Sequence, residues 1–298
     1  MIDGQRKTGA AIRWGMVGGG RGSQIGYIHR AAATRDRYFD MVAGAFDLDP
    51  ARGRAFGTDL GLDPARCYAD YRAMFAAESA RPDGIRAVSI ATPNNTHYEI
   101  SKAALLAGIH VICEKPLTFT TAEALDLQRI AEERNLLVGV TYGYSGYQMI
   151  EEAARLVADG TLGEIRLVNL QFAHGFHNEA VEEANPAIRW RVDPKFAGPS
   201  YVLGDLATHP LYLAEVICPD LRIRRLMCAR QSFIASRAPL EDNAVTLMEY
   251  EGGAFGTLWT SAVNAGAMHS QRVRIVGSKA SVEWWDEHPN QLSLEIQG

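Results

Sequence analysis

The chain has 298 residues, 47% hydrophobic content and a formal net charge of −5. That length can bury two cores, and that charge leaves no basic footprint for nucleic acid or an anionic membrane. No apolar run approaches the roughly 20 residues that span a bilayer, and the residues before Ala11 are polar, without the apolar centre of a signal peptide. The four cysteines (Cys67, Cys113, Cys218, Cys228) form no Cys-x-x-Cys pair, so reduced thiols in a cytoplasmic protein are expected.

Residues 11–17 read as a buried first strand running into Gly18-Gly19-Gly20-Arg21-Gly22-Ser23-Gln24-Ile25-Gly26. The spacing G-x-G-x-x-G fails strictly, because Ser23 takes the third glycine's place. Gly26 serves instead, after a longer loop. Glycines let the backbone turn tightly and approach a pyrophosphate, which the following helix N-terminus attracts. Gly18, Gly20, Gly22, Ser23, Gln24, Ile25 and Gly26 are therefore candidate cofactor contacts. A helix over 26–33 and a strand over 39–46 follow, and the strand closes on Asp47, about 20 residues past Gly26. An acid there accepts hydrogen bonds from ribose hydroxyls and repels a 2′-phosphate, favouring NAD over NADP. The alternative is a plain turn and helix cap at Asp47-Leu48-Asp49-Pro50, and Arg52 and Arg54 keep NADP open.

Helices over 50–60 and 68–77 precede a strand over 87–91, which ends in Thr92-Pro93-Asn94-Asn95-Thr96-His97. A helix to 107 leads to a strand ending at Lys115, in the run Cys113-Glu114-Lys115-Pro116. A helix over 121–134 and a strand over 136–140 complete the alternation, which argues for a Rossmann-type, doubly wound parallel sheet. Ligands of such sheets sit beyond the carboxyl ends of the strands. Thr92 and Lys115 occupy such ends, although a solvated lysine at a strand end is the bland alternative. Tyr98-x-x-x-Lys102 matches the short-chain dehydrogenase motif but comes too early in the chain, so an ordinary helix face is expected.

The alternation stops after Tyr142, which places a domain boundary there: a dinucleotide-binding domain over 10–142 and an α+β domain over 143–298. A helix over 147–158 and strands over 165–172, 222–229, 244–250, 254–261, 272–276 and 280–284 predict an open, mainly antiparallel sheet, the later strands joined as a meander. An irregular excursion over 173–198 leads to Gly204-Asp205-Leu206-Ala207-Thr208-His209. Asp205 and His209 share one face if this segment is α-helical, and a carboxylate beside an imidazole suits acid–base chemistry on a hydroxyl. Pro210 weakens that shared face, and a buried, satisfied histidine is the alternative. His174-x-x-His177 with Glu179 and Glu182 has no confirming second cluster, so no metal is expected. His174, Trp190 and Arg191 are candidate substrate contacts, or plain loop surface. Trp284-Trp285 reads as sheet packing.

Four features in this order resemble the glucose–fructose oxidoreductase / inositol dehydrogenase (Gfo/Idh/MocA) family: the glycine loop with His29 behind it, Ala91-Thr92-Pro93-Asn94-x-x-His97, Glu114-Lys115-Pro116, and Gly204-Asp205-x-x-x-His209. The resemblance covers about 12–285. It implies a nicotinamide cofactor and a sugar, cyclitol or related polyol substrate whose secondary hydroxyl is oxidised. It also implies Lys115, Asp205 and His209 as the catalytic group, with Pro93, Asn94, His97 and Glu114 near the cofactor. A homodimer or homotetramer through the open sheet is implied as well. Thr141-Tyr142-Gly143-Tyr144 departs from the family's usual pattern, and the chain ends at Gly298 where relatives usually add a further helix, so a short version or a missing C-terminal portion is expected. An NAD-assisted glycoside hydrolase or lyase of the same family, and a non-catalytic NAD or sugar sensor, are the rival readings.

Overall fold

The computed structural model describes residues 9–185 and 188–298. Most of the polar leading stretch, and residues 186 and 187 of the excursion, lie outside the described residues. The backbone divides into two compact units, Met1–Thr141 and Tyr142–Gly298.

In chain order the first unit contains β1 (Ile12–Gly18), α1 (Gln24–Arg35), β2 (Phe39–Ala45), α2 (Pro50–Asp59), α3 (Tyr71–Ser79), β3 (Ala87–Ala91), α4 (His97–Leu106), β4 (His110–Cys113), α5 (Thr121–Arg134) and β5 (Val138–Val140). Its five strands lie in the order β2-β1-β3-β4-β5, and all are parallel. Strand alternation sends Trp14 and Met16 into one apolar cluster and Val17 into another, so both faces of the sheet are covered. From β1 the chain pairs with β2 on one side and β3 on the other, which makes the carboxyl ends of β1 and β3 the topological switch point. The doubly wound parallel sheet is as expected.

Boundaries shift where caps intervene. Ser23 caps α1, so the helix begins at Gln24 and not at Gly26. Asp70 accepts from Ala73 N and starts α3 at Tyr71, because Cys67 bridges to Gly44 and Tyr68 N bonds Gly44 O, holding 67–68 against β2. The strand expected to reach Lys115 ends at Cys113.

The second unit contains α6 (Gln148–Ala158), β6 (Ile165–Ala173), α7 (Val181–Ala184), α8 (Pro194–Ala197), a π-helical turn (Leu203–Ala207), α9 (Thr208–Ile217), β7 (Ile223–Gln231), β8 (Asn243–Tyr250), β9 (Phe255–Ser261), β10 (Gln271–Gly277), β11 (Ala280–Trp285) and β12 (Leu292–Ile296). The sheet order is β12-β11-β10-β6-β9-β8-β7, antiparallel except where β6 runs parallel to β9. That one parallel pair breaks a simple meander: β6, which precedes the excursion in the chain, lies between β10 and β9 in the middle of the sheet. On β6, Val168 and Leu170 are buried while Leu167 is 44% exposed. One face therefore packs on α6 and α9, each buried aliphatic contributing about 1.5–3 kcal/mol, and the other is open.

Candidate active site

In the first unit, the glycine loop closes over the switch point. Gly18 (φ 74°) ends β1, and a Cβ there would lie 2.5 Å from Ala91 O at the end of β3; Gly19 N donates to that same oxygen at 3.0 Å. A Cβ on Gly26 would collide with the Gly19 carbonyl, so only glycine lets α1 begin against the loop. Gly26 thus takes the place of the third glycine of the ordinary motif. Ser23 Oγ accepts from Gly26 N at 3.0 Å, and Gln24 and Ile25 form the first helical turn, which carries no acid to oppose an anion. Gly20 packs its Cα against Phe46 O at the end of β2, and Gly22 (φ 80°) turns the loop toward Ser23. This is a backbone cradle of the kind a dinucleotide pyrophosphate fits.

Asp47 lies just past β2. Its carboxylate accepts from Asp49 N at 2.9 Å and from Arg52 Nη2 and Nε at 2.9 and 3.2 Å. The Arg52 hydrogen bond holds it below the usual carboxylate range. Past β3, the Thr92 carbonyl and the Pro116 carbonyl sit 3.0 and 2.8 Å from the two nitrogens of His97, a ring with no exposure. Burial lowers its proton affinity, with the two carbonyls opposing. His97 therefore ties the loop at Pro93 and Asn94 to the loop at Lys115.

Glu114 is the centre of a second network. Its Oε1 meets His29 Nε2 at 2.9 Å and accepts from Thr141 Oγ1 at 2.7 Å, and its Oε2 accepts from Lys115 N at 3.3 Å. Behind it, His29 Nδ1 lies 3.1 Å from Ser89 Oγ, which accepts from Trp14 Nε1. Burial penalises the Glu114 charge, but His29 and Thr141 outweigh it and hold the carboxyl below its ordinary range. Lys115, two residues past β4, precedes a cis peptide bond to Pro116. Adjacent parallel strands bring Thr141 to Glu114 and Ser89, which carries no sequence signal of its own, to His29. The Tyr98/Lys102 pair is an ordinary helix face, with both side chains bonded to Asp126 of α5.

In the second unit, the expected α-helical face over 205–209 is corrected. Asp205 lies in the π-helical turn and His209 in the first turn of α9. Pro210 has no N–H and its ring crowds the carbonyl four residues back, so the preceding turn widens. His209 is 7% exposed and is walled by Tyr144, Tyr142 and Phe172, at ring-centroid distances of 4.9, 5.7 and 5.8 Å. Arg191 Nε lies 3.6 Å from Asp205 Oδ2, and its guanidinium stacks on Trp190 at 4.6 Å. The excursion thus returns Trp190 and Arg191 to Asp205.

His174 Nδ1 accepts from Phe176 N, and burial drops its pKa to about 4. His177 bonds the Tyr201 hydroxyl. Glu182 is committed to the buried Arg237, and among the described residues no group of three or more His, Cys, Asp or Glu could hold a metal ion. Nor is any described helix long and apolar enough to cross a membrane. Sequence reasoning missed Tyr142, Tyr144 and Phe172 as the walls of His209, since aromatic residues in a turn and a strand carry no local mark of a site.

The chain matches the family description "Oxidoreductase family, NAD-binding Rossmann fold" over residues 12–142 and "Oxidoreductase family, C-terminal alpha/beta domain" over residues 154–298. It is 56% identical to the uncharacterized oxidoreductase YfiI of Bacillus subtilis (strain 168), covering 100% of this chain and 76% of that protein. It superposes on an inositol dehydrogenase homolog complexed with NAD+ from Azotobacter vinelandii at TM-score 0.98 and 66% identity, covering 100% of this chain and 77% of that one. A structure of an inositol dehydrogenase homolog from the same organism, complexed with NADH and myo-inositol, matches at TM-score 0.94 and 65% identity, covering 99% of this chain and 76% of that one.

Proposed function

This chain belongs to the Gfo/Idh/MocA oxidoreductase family, and on that premise we propose that it transfers a hydride between a secondary hydroxyl of a cyclitol or sugar and NAD. The observation that carries the reading is the crook of Gly18 to Gly26, where glycine alone fits against the Gly19 carbonyl at a helix N-terminus. An ionised Asp47 at the end of β2 supports NAD over NADP, since ribose hydroxyls suit a carboxylate and a 2′-phosphate does not. A relative complexed with NADH and myo-inositol supports a cyclitol as the first substrate to try.

The cradle of Gly18 to Gly26 and Asp47 would hold NAD, which would supply the hydride acceptor. The chain's own residues bind, orient and move the proton. His209 takes the hydroxyl proton, and Lys115 donates a hydrogen bond to the same oxygen as negative charge develops on it. Asp205, steered by Arg191, accepts from a neighbouring hydroxyl. Glu114 receives Lys115 N and fixes the backbone from which the amine projects. Positioning supplies much of the remaining rate. The open sheet face, with Leu167, Val245 and Phe255 exposed, is proposed to pair subunits, and light scattering giving a monomer at micromolar concentration overturns that part.

The test is a screen of cyclitols and sugars, with NAD and NADP in parallel, following reduced nicotinamide absorbance. NAD-linked oxidation of at least one polyol is expected. In Lys115→Ala, turnover falls by about 10²–10⁴-fold while NAD affinity stays within a few-fold; near-normal turnover in that variant removes the mechanism.

A further inference from the structure

A histidine that no motif marks stands in the same wall as His209. His269 lies just before β10, and Asp286 just after β11. The register pairs Gln271 with Phe172 and Arg272 with Trp285, so the end of β6, the start of β10 and the end of β11 meet at one edge of the sheet. There the His269 ring packs against Phe172 at 5.5 Å, Phe176 at 5.9 Å and Tyr144 at 6.3 Å. Phe172 and Tyr144 are also the rings that flank His209.

The burial of the pair is inverted relative to an ordinary surface ion pair. The Asp286 side chain is 4% exposed and the His269 side chain 45%. Asp286 Oδ2 accepts from His269 Nδ1 at 2.9 Å, and Oδ1 accepts from Gln271 N at 3.1 Å, so the carboxylate is anchored by backbone and spends its other oxygen on the ring. Tyr144 Oη approaches the same Nδ1 at 3.4 Å. With Nδ1 held, the tautomer is set, and among the described residues Nε2 has no hydrogen-bond partner. A buried carboxylate thus aims one outward nitrogen from the wall that holds His209.

We propose that His269, oriented by Asp286, is a second substrate-binding imidazole, taking through Nε2 a polyol hydroxyl other than the one oxidised. The proposal rests on the polyol dehydrogenase reading and names a specificity-determining residue for it. The Asp286 hydrogen bond, ahead of partial burial, raises the proton affinity of the ring, which, with the proton on Nδ1, makes Nε2 a stronger acceptor for a hydroxyl O–H. His174 differs: burial lowers its proton affinity, and its Nδ1 is already taken by Phe176 N.

Asparagine and glutamine at this position separate the two ends of the imidazole. His269→Asn keeps a donor near Nδ1, so the Asp286 contact survives and the far nitrogen is lost; His269→Gln extends an amide toward the Nε2 position. With the NAD-loaded protein and myo-inositol, His269→Asn is expected to raise KM by about 10- to 100-fold with kcat within a few-fold, and His269→Gln to recover part of the loss. A wild-type KM in His269→Asn, or a fall in kcat alone, overturns the proposal. Calorimetric binding of myo-inositol to the NADH-loaded protein separates this from the parent reading. Binding without turnover by the wild type refutes the redox reading alone, and weaker binding by His269→Asn then still supports the assignment of His269. Equal binding by wild type and variant overturns that assignment, and no binding to the wild type overturns it as well.

Discussion

His29 and His97 in the first unit, and His174 and His209 in the second, are all buried, but their surroundings differ. His29 and His97 have both ring nitrogens against oxygens: Ser89 and Glu114 for one, Thr92 and Pro116 for the other. Those oxygens belong to different strands and to the loops beyond them, so each ring fastens strand ends together. His209 is flanked by three aromatic rings, and His174, whose Nδ1 also accepts from Phe176 N, by Phe172, Phe176 and His177. Ring contacts fix position by shape, at about 0.5–1.5 kcal/mol per aromatic pair beyond area burial. The contrast teaches that one residue type does two jobs here. In the first unit imidazole holds the loops that carry Thr92, Glu114 and Lys115, whereas in the second it is built into an aromatic wall.

Turnover is where this contrast breaks first. His209→Asn is expected to lower kcat by about 10²–10⁴-fold, the usual loss of a positioned acid–base group, with NAD affinity unchanged. His97→Gln, aimed at a fastener, acts on melting temperature and NAD affinity, with a far smaller change in kcat at saturating NAD. Steady-state kinetics and a cofactor titration on both variants decide it, and equal kcat losses erase the distinction.

A smaller effect sharpens the fastening half. Glu114→Ala strands His29, Thr141 and Lys115 N together, and leaving buried donors unmet costs about 1–3 kcal/mol, read as a lower midpoint in urea. Glu114→Gln, which keeps an acceptor, is expected to lose less. Gly26→Ala tests the cradle itself: its methyl must displace the Gly19 carbonyl, an overpacking cost of about 1–3 kcal/mol. Loss of NAD affinity in excess of the loss of stability is the expected mark of a cofactor loop. A variant that binds NAD like the wild type removes the crook from the site.

Much of this was open to the sequence because local chemistry and global fold agree there. Thr121–Arg134 is placed to the residue, since Thr120 and Glu123 form a capping box and Asn135 closes the helix in the left-handed region. Ala87–Ala91 is likewise placed to the residue, being a short apolar run between turn signals. The strand β12 is missed although Leu-Ser-Leu-Glu-Ile alternates apolar and polar residues; it is a short, mostly exposed edge strand, and its period-2 signal was there to be read. The spacing of Asp205 and His209 is visible, but the widened turn between them depends on how Pro210 is accommodated. His269 is invisible for a different reason. Its partner is 17 residues away across a hairpin, and only the register of β10 with β6 and β11 brings the pair to the wall of His209.

Acid titration gives the finest test of the ring-walled set. Burial sets the His174 pKa at about 4 in the folded chain, against about 6.5 for an unfolded histidine. Protons therefore bind the unfolded chain first, and the contribution is fully present above pH ~6.5 and shrinks as pH falls toward 4. The slope is about 1.4 kcal/mol per pH unit within that window, to which His177, also lowered by burial, adds in the same sense. His269 acts in the opposite sense and elsewhere. Its raised pKa gives stability that is complete below pH ~6.5 and lost as pH rises through the folded value, so it leaves the acid window flat. Glu114 and Glu182, both lowered, enter only as pH falls below ~4.3. Urea unfolding of His174→Gln at pH 7 and pH 5.5 is thus expected to show a smaller acid loss than the wild type, by about 1.4 kcal/mol. An unchanged loss would mean that this ring takes up its proton in the folded chain as readily as in the unfolded one, and the ring-walled set would then be wet.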